Sequence, residues 1–284
     1  MTLYCAGIDV GSLTAEGAIV DGHAAGKPSV RATARIPARA NPLHSAREIL
    51  AQLYADSGLR ARDLAYTVST GYGREAIQEA GLARHNLSEI SCHGYGAWRL
   101  QPRVRTIIDI GGQDAKAIRV DDQGRLTEFA MNDKCAAGTG HFLELMSRSL
   151  EVDLADLGRL ALRARQPVHM TSRCSIFVET EVIHFLQRGH RREDVAAGIA
   201  DAMAERVAAL ARRVRPTAVV TMTGGVAKNL AVRRQLERRL GLRMVELDCD
   251  PQLVGALGAA LLAAELATGS AAGLAGAPDP GGPR

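Results

Sequence analysis

The chain has 284 residues, with 35 Lys and Arg against 31 Asp and Glu, 46% hydrophobic and 4% aromatic residues, and a mean hydropathy of −0.04. No stretch reaches the roughly 20 apolar residues that span a bilayer, which excludes a transmembrane protein. The small net charge of +4, with arginines interleaved with acids and few aromatic stacking platforms, argues against nucleic acid as a partner.

Met1-Thr2-Leu3-Tyr4-Cys5 leads almost directly into an apolar strand without a charged leader or a cleavable apolar core, so a cytoplasmic location is expected. That strand ends in Ala6-Gly7-Ile8-Asp9-Val10-Gly11-Ser12, and the alternating segment Ala15 to Val20 predicts a second hairpin strand. Periodicity then predicts a helix over 43–55, a strand over 65–69 and a helix over 75–80. A strand over 104–109 runs into Ile107-Ile108-Asp109-Ile110-Gly111-Gly112-Gln113-Asp114, followed by strands over 115–120 and 126–131. Helices are predicted over 140–150, 175–187 and 194–214. A strand over 218–222 meets a third glycine turn, Thr223-Gly224-Gly225, which opens a helix over 226–240, and a last helix covers 253–266. Thr268 to Arg284 is Gly, Ala and Pro with few large apolar side chains, and residues 266–284 read as a disordered tail.

Strands that end in glycine turns and alternate with helices indicate an α/β protein, built as two related halves facing a cleft. Glycine lets backbone N–H groups approach phosphate oxygens, and a strand-end Asp can hold magnesium through water. Two Asp-x-Gly turns and a Gly-Gly turn in one chain therefore point to a clamp for a nucleotide's phosphates rather than to tight turns alone.

Five cysteines, at positions 5, 92, 135, 174 and 249, form no C-x-x-C pair and no disulfide framework. Cys5, Cys92 and Cys249 read as core residues. Cys135, in Asn132-Asp133-Lys134-Cys135-Ala136-Ala137-Gly138-Thr139-Gly140, and Cys174, in Thr171-Ser172-Arg173-Cys174-Ser175, each precede a predicted helix, whose N-terminus favours thiolate. Two thiolates cannot close a four-thiolate cluster, but two subunits could. His93, His141, His169, His184 and His190 share no metal-ligand spacing and read as ordinary, partly exposed residues. Glu179 and Glu181, two apart on a helix, point to different faces.

These segments, with Thr70-Gly71-Tyr72-Gly73-Arg74, Glu89-Ile90-Ser91-Cys92-His93-Gly94-Tyr95-Gly96-Ala97, Asp109 to Lys116, Phe177-Val178-Glu179-Thr180-Glu181-Val182-Ile183, Thr223 to Ala227 and Gly255 to Ala260, resemble the ATP-dependent activators of 2-hydroxyacyl-CoA dehydratases and the ATPase subunits of benzoyl-CoA reductases. The resemblance runs in order from residue 6 to about 265. It implies the actin, Hsp70 and sugar-kinase (ASKHA) fold, with ATP between two ribonuclease-H-like halves, residues 1–95 with the first phosphate loop and residues 96–265 with the second, the cysteines and the adenosine motif. Carried over, Asp9, Gly11 and Ser12 would form the first loop, Asp109, Gly111, Gly112, Gln113 and Asp114 the second, and Thr223, Gly224 and Gly225 would lie at the adenosine. Asp9, Asp109 and Gln113 would hold Mg2+ and position the attacking water. Cys135 and Cys174 would ligate one [4Fe-4S] cluster per dimer, shared with a second copy or a homologous subunit.

The resemblance further implies that ATP hydrolysis drives one electron from a ferredoxin or flavodoxin donor to a CoA-ester dehydratase or reductase. Both an activator of a dehydratase and a subunit integral to a heterodimeric benzoyl-CoA reductase fit these motifs. One position departs from the pattern: where the family often has a lysine after the first loop, this chain has Glu16, which either points away from the phosphates or alters nucleotide handling. A small-molecule kinase of the same fold without a cluster, and a nucleotide sensor that does not turn over, are the rival readings.

Overall fold

The computed structural model describes residues 3–22, 29–171 and 174–269. Among them the elements in chain order are β1 (Tyr4–Val10), β2 (Thr14–Asp21), β3 (Ser29–Pro37), α1 (Pro42–Ser57), β4 (Leu64–Gly71), α2 (Arg74–Glu79), β5 (His85–Asn86), α3 (Glu89–Leu100), β6 (Thr106–Ile110), β7 (Ala115–Val120), β8 (Leu126–Asn132), α4 (Gly140–Ser149), α5 (Leu154–Ala161), α6 (Ser175–Gln187), α7 (Arg192–Arg212), β9 (Val220–Thr223), α8 (Leu230–Leu240), β10 (Met244–Val245) and α9 (Val254–Thr268). They form two compact units. The first takes in the described residues up to Arg105, the turn Arg119–Thr127 and the described residues from Leu247 onward; the second comprises Thr106–Ile118 and Glu128–Glu246.

The first unit is a five-stranded sheet in the order β3-β2-β1-β4-β5. β1 pairs antiparallel with β2 and parallel with β4, and it is buried from Cys5 to Val10 and apolar apart from Asp9, because both of its faces are covered. Ala6, Ile8 and Val10 point to one side, where they pack with Ile49 and Leu53 of α1 and Ile77 of α2. Cys5 points to the other, where it joins Cys92 and Tyr95 of α3 and Ala256, Ala259 and Ala260 of α9. α9 thus belongs to the first unit, whereas the sequence reading places 253–265 with the second half. Its Thr268 is helical, so the helix runs into the stretch read as tail; residues 270–284 lie outside the described residues.

β3, α3 and α5 have no counterpart in the sequence reading. The inward face of β3 is Ala32 and Ala34, too small to give a strong alternation. α3 carries Gly94 and Gly96, which weaken a helical pattern, yet Gly96 lets α3 approach α9: a Cβ there would lie 2.7 Å from the Val254 carbonyl oxygen, and one on Gly258 would lie 1.9 Å from that of Cys92. Gly258→Ala is therefore expected to cost about 2 kcal/mol, since forcing the two helices apart outweighs the roughly 1 kcal/mol of helix propensity gained. The midpoint of urea unfolding measures this, and an unchanged or higher midpoint contradicts it.

The second unit repeats the arrangement with its own five-stranded sheet, β10-β9-β6-β7-β8, in which β6 and β9 run parallel, as do β9 and β10. Its core is built from Ile108 and Ile110 of β6, Phe142 and Met146 of α4 and the alanine-rich face of α7. The helix predicted over 226–240 is broken: a short 3-10 turn covers Gly225–Lys228, and Asn229 caps α8, its Oδ1 accepting from the N–H groups of Ala231 and Val232 at 3.1 Å. Among the described residues no helix is long and apolar enough to cross a membrane.

Candidate functional site

The first glycine device lies in the first unit. Asp9, near the end of β1, is 7% exposed, and the chain turns after it with the Gly11 N–H donating to the Thr14 carbonyl at 3.0 Å. Gly11 and Ser12 are partly exposed on this turn. Beside β1, Asp9 is paired with Thr70 of β4, and Gly71 follows with φ +80°. A Cβ on Gly71 would lie 2.5 Å from the Val10 carbonyl oxygen and 2.6 Å from Asp9 Oδ1, so the close approach as well as the backbone angle requires glycine.

Asp9 faces α3 and α9. His93 Nε2 of α3 is 3.8 Å from Asp9 Oδ2, and both side chains are buried. Read from sequence as a partly exposed residue, His93 is instead enclosed next to the strand-end acid. A Cβ on Gly255 of α9 would lie 2.0 Å from Asp9 Oδ2 and 2.8 Å from His93 Nε2, so the absence of a side chain there makes room for the pair. Glu16, also buried, is the antiparallel partner of Asp9, and directly opposed residues project to the same face of a sheet. It does not point away from that face.

The second unit builds the same device. Asp109 is 3% exposed near the end of β6, and the Gly111 N–H donates to the Asp114 carbonyl at 3.0 Å, the counterpart of the Gly11 turn. Beside β6, Asp109 is paired with Thr223 of β9, and Gly224 follows with φ +80°. A Cβ on Gly224 would lie 2.3 Å from the Ile110 carbonyl oxygen and 3.0 Å from Asp109 Oδ1. Thr223-Gly224 is thus the structural equivalent of Thr70-Gly71, a relation hidden in the sequence because the two dipeptides lie at different distances from their Asp-x-Gly turns.

The two devices differ in chemistry. The Thr70 hydroxyl donates to the Leu87 carbonyl at 2.9 Å, whereas the Thr223 hydroxyl donates to Asp109 Oδ1 at 2.8 Å. Seven residues after Asp9 stands Glu16; seven after Asp109 stands Lys116. Lys116 is 1% exposed, with Nζ 2.7 Å from Asp114 Oδ1 and 3.5 Å from Asp109 Oδ2. It occurs in the sequence motif, but periodicity places it on an ordinary strand and gives no signal of burial. Gly111 and Gly112 are partly exposed, Gln113 is exposed, and Gly225 is exposed after the buried Gly224. The first N–H groups of α4 are engaged with this loop: Gly140 donates to the Gly111 carbonyl at 2.8 Å and His141 to that of Gly112 at 2.9 Å.

Of the cysteines, Cys5, Cys92 and Cys249 have thiols that burial pushes up to about 11, 12 and 11, so they stay protonated at neutral pH. Cys135 and Cys174 are exposed. Cys135 caps a 3-10 turn, Ala136–Gly138, rather than α4 itself, and its carbonyl accepts from Asn132 Nδ2 at 2.9 Å. Cys174 is the N-cap residue of α6. That helix buries Val178 and Val182 but leaves Ile176 and Phe177 about two thirds exposed and Ile183 exposed as well. Glu181 accepts from the Thr171 N–H at 3.0 Å, while Glu179 accepts from the Ser149 hydroxyl at 3.1 Å. Among the described residues no three His, Cys, Asp or Glu side chains gather as for a metal ion.

A family model described as the BadF/BadG/BcrA/BcrD ATPase family matches residues 6–263. The chain belongs to this ATPase family. It is 45% identical over 269 residues to an activator of lactoyl-CoA dehydratase from Anaerotignum propionicum, covering 93% of this chain and 99% of the relative. It is 44% identical over 266 residues to the (R)-2-hydroxyglutaryl-CoA dehydratase activating ATPase of Acidaminococcus fermentans, covering 93% and 98%. The solved structure of the activator of the 2-hydroxyisocaproyl-CoA dehydratase from Clostridium difficile, with bound ADPNP, matches with a TM-score of 0.87 at 40% identity, over 94% of this chain and 97% of that one. Further off, one of the subunits of the benzoyl-CoA reductase of Thauera aromatica is 31% identical over 226 residues, 78% of this chain and 79% of its own. A ROK hexokinase from Thermus thermophilus shares the fold at a TM-score of 0.51 and 16% identity, over 94% of this chain and 100% of that one. The fold is that of the actin and sugar-kinase class. In this ATPase family member both glycine devices are intact, and the polar side chains that distinguish them, Glu16 and His93 in one, Lys116 and Thr223 in the other, are all buried.

Proposed function

We propose that this chain is the ATP-driven activator of a 2-hydroxyacyl-CoA dehydratase, passing single electrons through a [4Fe-4S] cluster held between two copies. The observation that carries the reading is the division among the five cysteines: three are shielded, with thiols held protonated, while Cys135 and Cys174 are exposed, each beginning a helical turn. Two exposed thiols suit half of a four-thiolate cluster, and a second copy would supply the rest. The exposed Ile176 and Phe177 next to Cys174 provide apolar surface for that copy to cover. When bound, the cluster supplies a one-electron carrier whose potential depends on its surroundings.

In this reading Asp9 and Asp109 hold Mg2+ through water, the glycine turns take phosphate oxygens on their N–H groups, and Gln113, exposed on the second turn, orients the attacking water. Gly224 and Gly225 lie towards the adenosine, and Asp114 braces the second loop. A ferredoxin or flavodoxin serves as donor. A dehydratase is preferred to a reductase as acceptor because relatives at 44–45% identity are dehydratase activators, whereas the reductase relative is at 31%.

The test is iron and acid-labile sulfide analysis of anaerobically purified protein, with EPR spectra with and without MgATP. About four irons per two chains are expected, lost in Cys135→Ala and in Cys174→Ala. A protein that stays colourless and iron-free after anaerobic reconstitution yet binds ATP removes the electron-transfer reading.

A further inference from the structure

We infer that Lys116 is the positioning residue of the second phosphate loop, its ammonium holding Asp109 in the orientation that hydrolysis requires. The inference deepens the ATPase reading above and rests on it. Asp109 is gripped on both oxygens by different elements: Oδ1 accepts from the Thr223 hydroxyl of β9 at 2.8 Å, and Oδ2 lies 3.5 Å from Lys116 Nζ of β7. A carboxylate with one anchor can swing about its Cβ–Cγ bond; one anchored at both oxygens keeps a single plane and still has lone pairs to offer water or a cation. Lys116 is anchored in turn by Asp114 Oδ1 at 2.7 Å.

All three charged groups are buried, at 3%, 4% and 1% exposure for Asp109, Asp114 and Lys116. Enclosing a lysine so fully is costly unless its charge is matched, and two carboxylates match it here. Asp114 sits where a carboxylate can hold the ammonium while its own backbone carbonyl closes the Gly111 turn at 3.0 Å. One lysine therefore couples the turn that would take phosphate to the acid that would serve the metal. The duplicated device in the first unit sharpens the point. There the seventh position after the acid is Glu16, and the threonine hydroxyl beside Asp9 donates elsewhere, to the Leu87 carbonyl. The Lys116 and Thr223 contacts to Asp109 are thus not a by-product of the shared backbone plan; they are a property of the second copy.

Removing Lys116 alone would strand two buried carboxylates, so the decisive comparison removes it from a background that already lacks the Asp114 charge. In full-length protein, Asp114→Asn is compared with the double variant Lys116→Met/Asp114→Asn; taken with their charges, the native trio and the double variant both sum to −1. Phosphate release from MgATP, the Kd for MgADP and the Tm are read for each and for the wild type. The double variant is expected to match Asp114→Asn in Tm and to bind MgADP within about threefold, while its kcat falls about 100-fold below that of Asp114→Asn, as misplacement of a reacting group does. An equal kcat in the two variants overturns the inference and leaves Lys116 as a counter-charge for Asp114. A double variant that does not fold overturns it too, in favour of a purely structural lysine. Wild-type protein without MgATP turnover would defeat the ATPase reading and this inference together, whereas wild-type turnover with equal variants would defeat this inference alone.

Discussion

Asp109→Asn is expected to abolish nearly all phosphate release, lowering kcat on the order of 1,000-fold while leaving MgADP affinity within a few-fold of the wild type. The substitution preserves the shape of the side chain, and the amide oxygen can still accept the 2.8 Å hydrogen bond from Thr223. The amide nitrogen then faces Lys116, donor against donor, where the carboxylate oxygen lay 3.5 Å from the ammonium. The charge that would draw Mg2+ and oppose charge build-up at the attacking water is gone, while the N–H groups of the glycine turn are untouched. A loss concentrated in kcat is the pattern of an interaction made in the transition state. Steady-state phosphate release with calorimetric MgADP binding checks it; an equal loss in binding would assign Asp109 to holding the nucleotide instead.

The second large effect is expected from a single methyl group remote in sequence from the glycine turns. Gly255→Ala places a Cβ where Asp9 Oδ2 would be 2.0 Å away and His93 Nε2 2.8 Å away, so Asp9 has to leave its position. Turnover should fall about 100-fold, the scale of misplacing a reacting group by an ångström. Gly258→Ala, on the same helix, is the natural control. It meets the backbone of Cys92 rather than Asp9, and is expected to lower the unfolding midpoint while retaining turnover per folded molecule. If Gly255→Ala turned over normally, Asp9 would have no part in the chemistry.

Much of this is legible from the residues. The two Asp-x-Gly turns and the Thr-Gly-Gly turn carry strong local signals, because a glycine turn closing an apolar strand stands out from the residues around it. The long helices predicted over 175–187 and 194–214 lie within about two residues of their observed limits for the same reason, an apolar pattern sustained over several turns. What stays hidden is what depends on a partner element. The helix holding Gly94 and Gly96 has no periodic signal of its own, and the reason for its glycines shows only when α9 is laid across α3. His93 reads as a partly exposed residue until β1 brings Asp9 beside it. Lys116 sits in an apolar alternation and reads as a strand residue; its burial is decided by Asp109 and Asp114, which reach it only after β6 and β7 are paired. The break at Asn229 is invisible to periodicity because both flanking segments keep a helical pattern, and only the capping side chain marks the interruption.

The return of α9 to the first unit has a bearing on how the chain acquires its structure. Gly7 of β1 is shaped for α9: a Cβ on it would fall 2.1 Å from the Ala256 carbonyl oxygen. On the ribosome, β1 is made before the second unit and waits, without the cover α9 gives one of its faces, until the entire second unit has been made and α9 follows it. The second unit draws only on Thr106–Ile118 and Glu128–Glu246 and can condense while synthesis continues. β1 is therefore sealed late, and its packing against α9 joins residues far apart in the sequence, the kind of contact that slows folding. A nascent chain arrested before Val254 should carry a protease-resistant second unit beside an open first one.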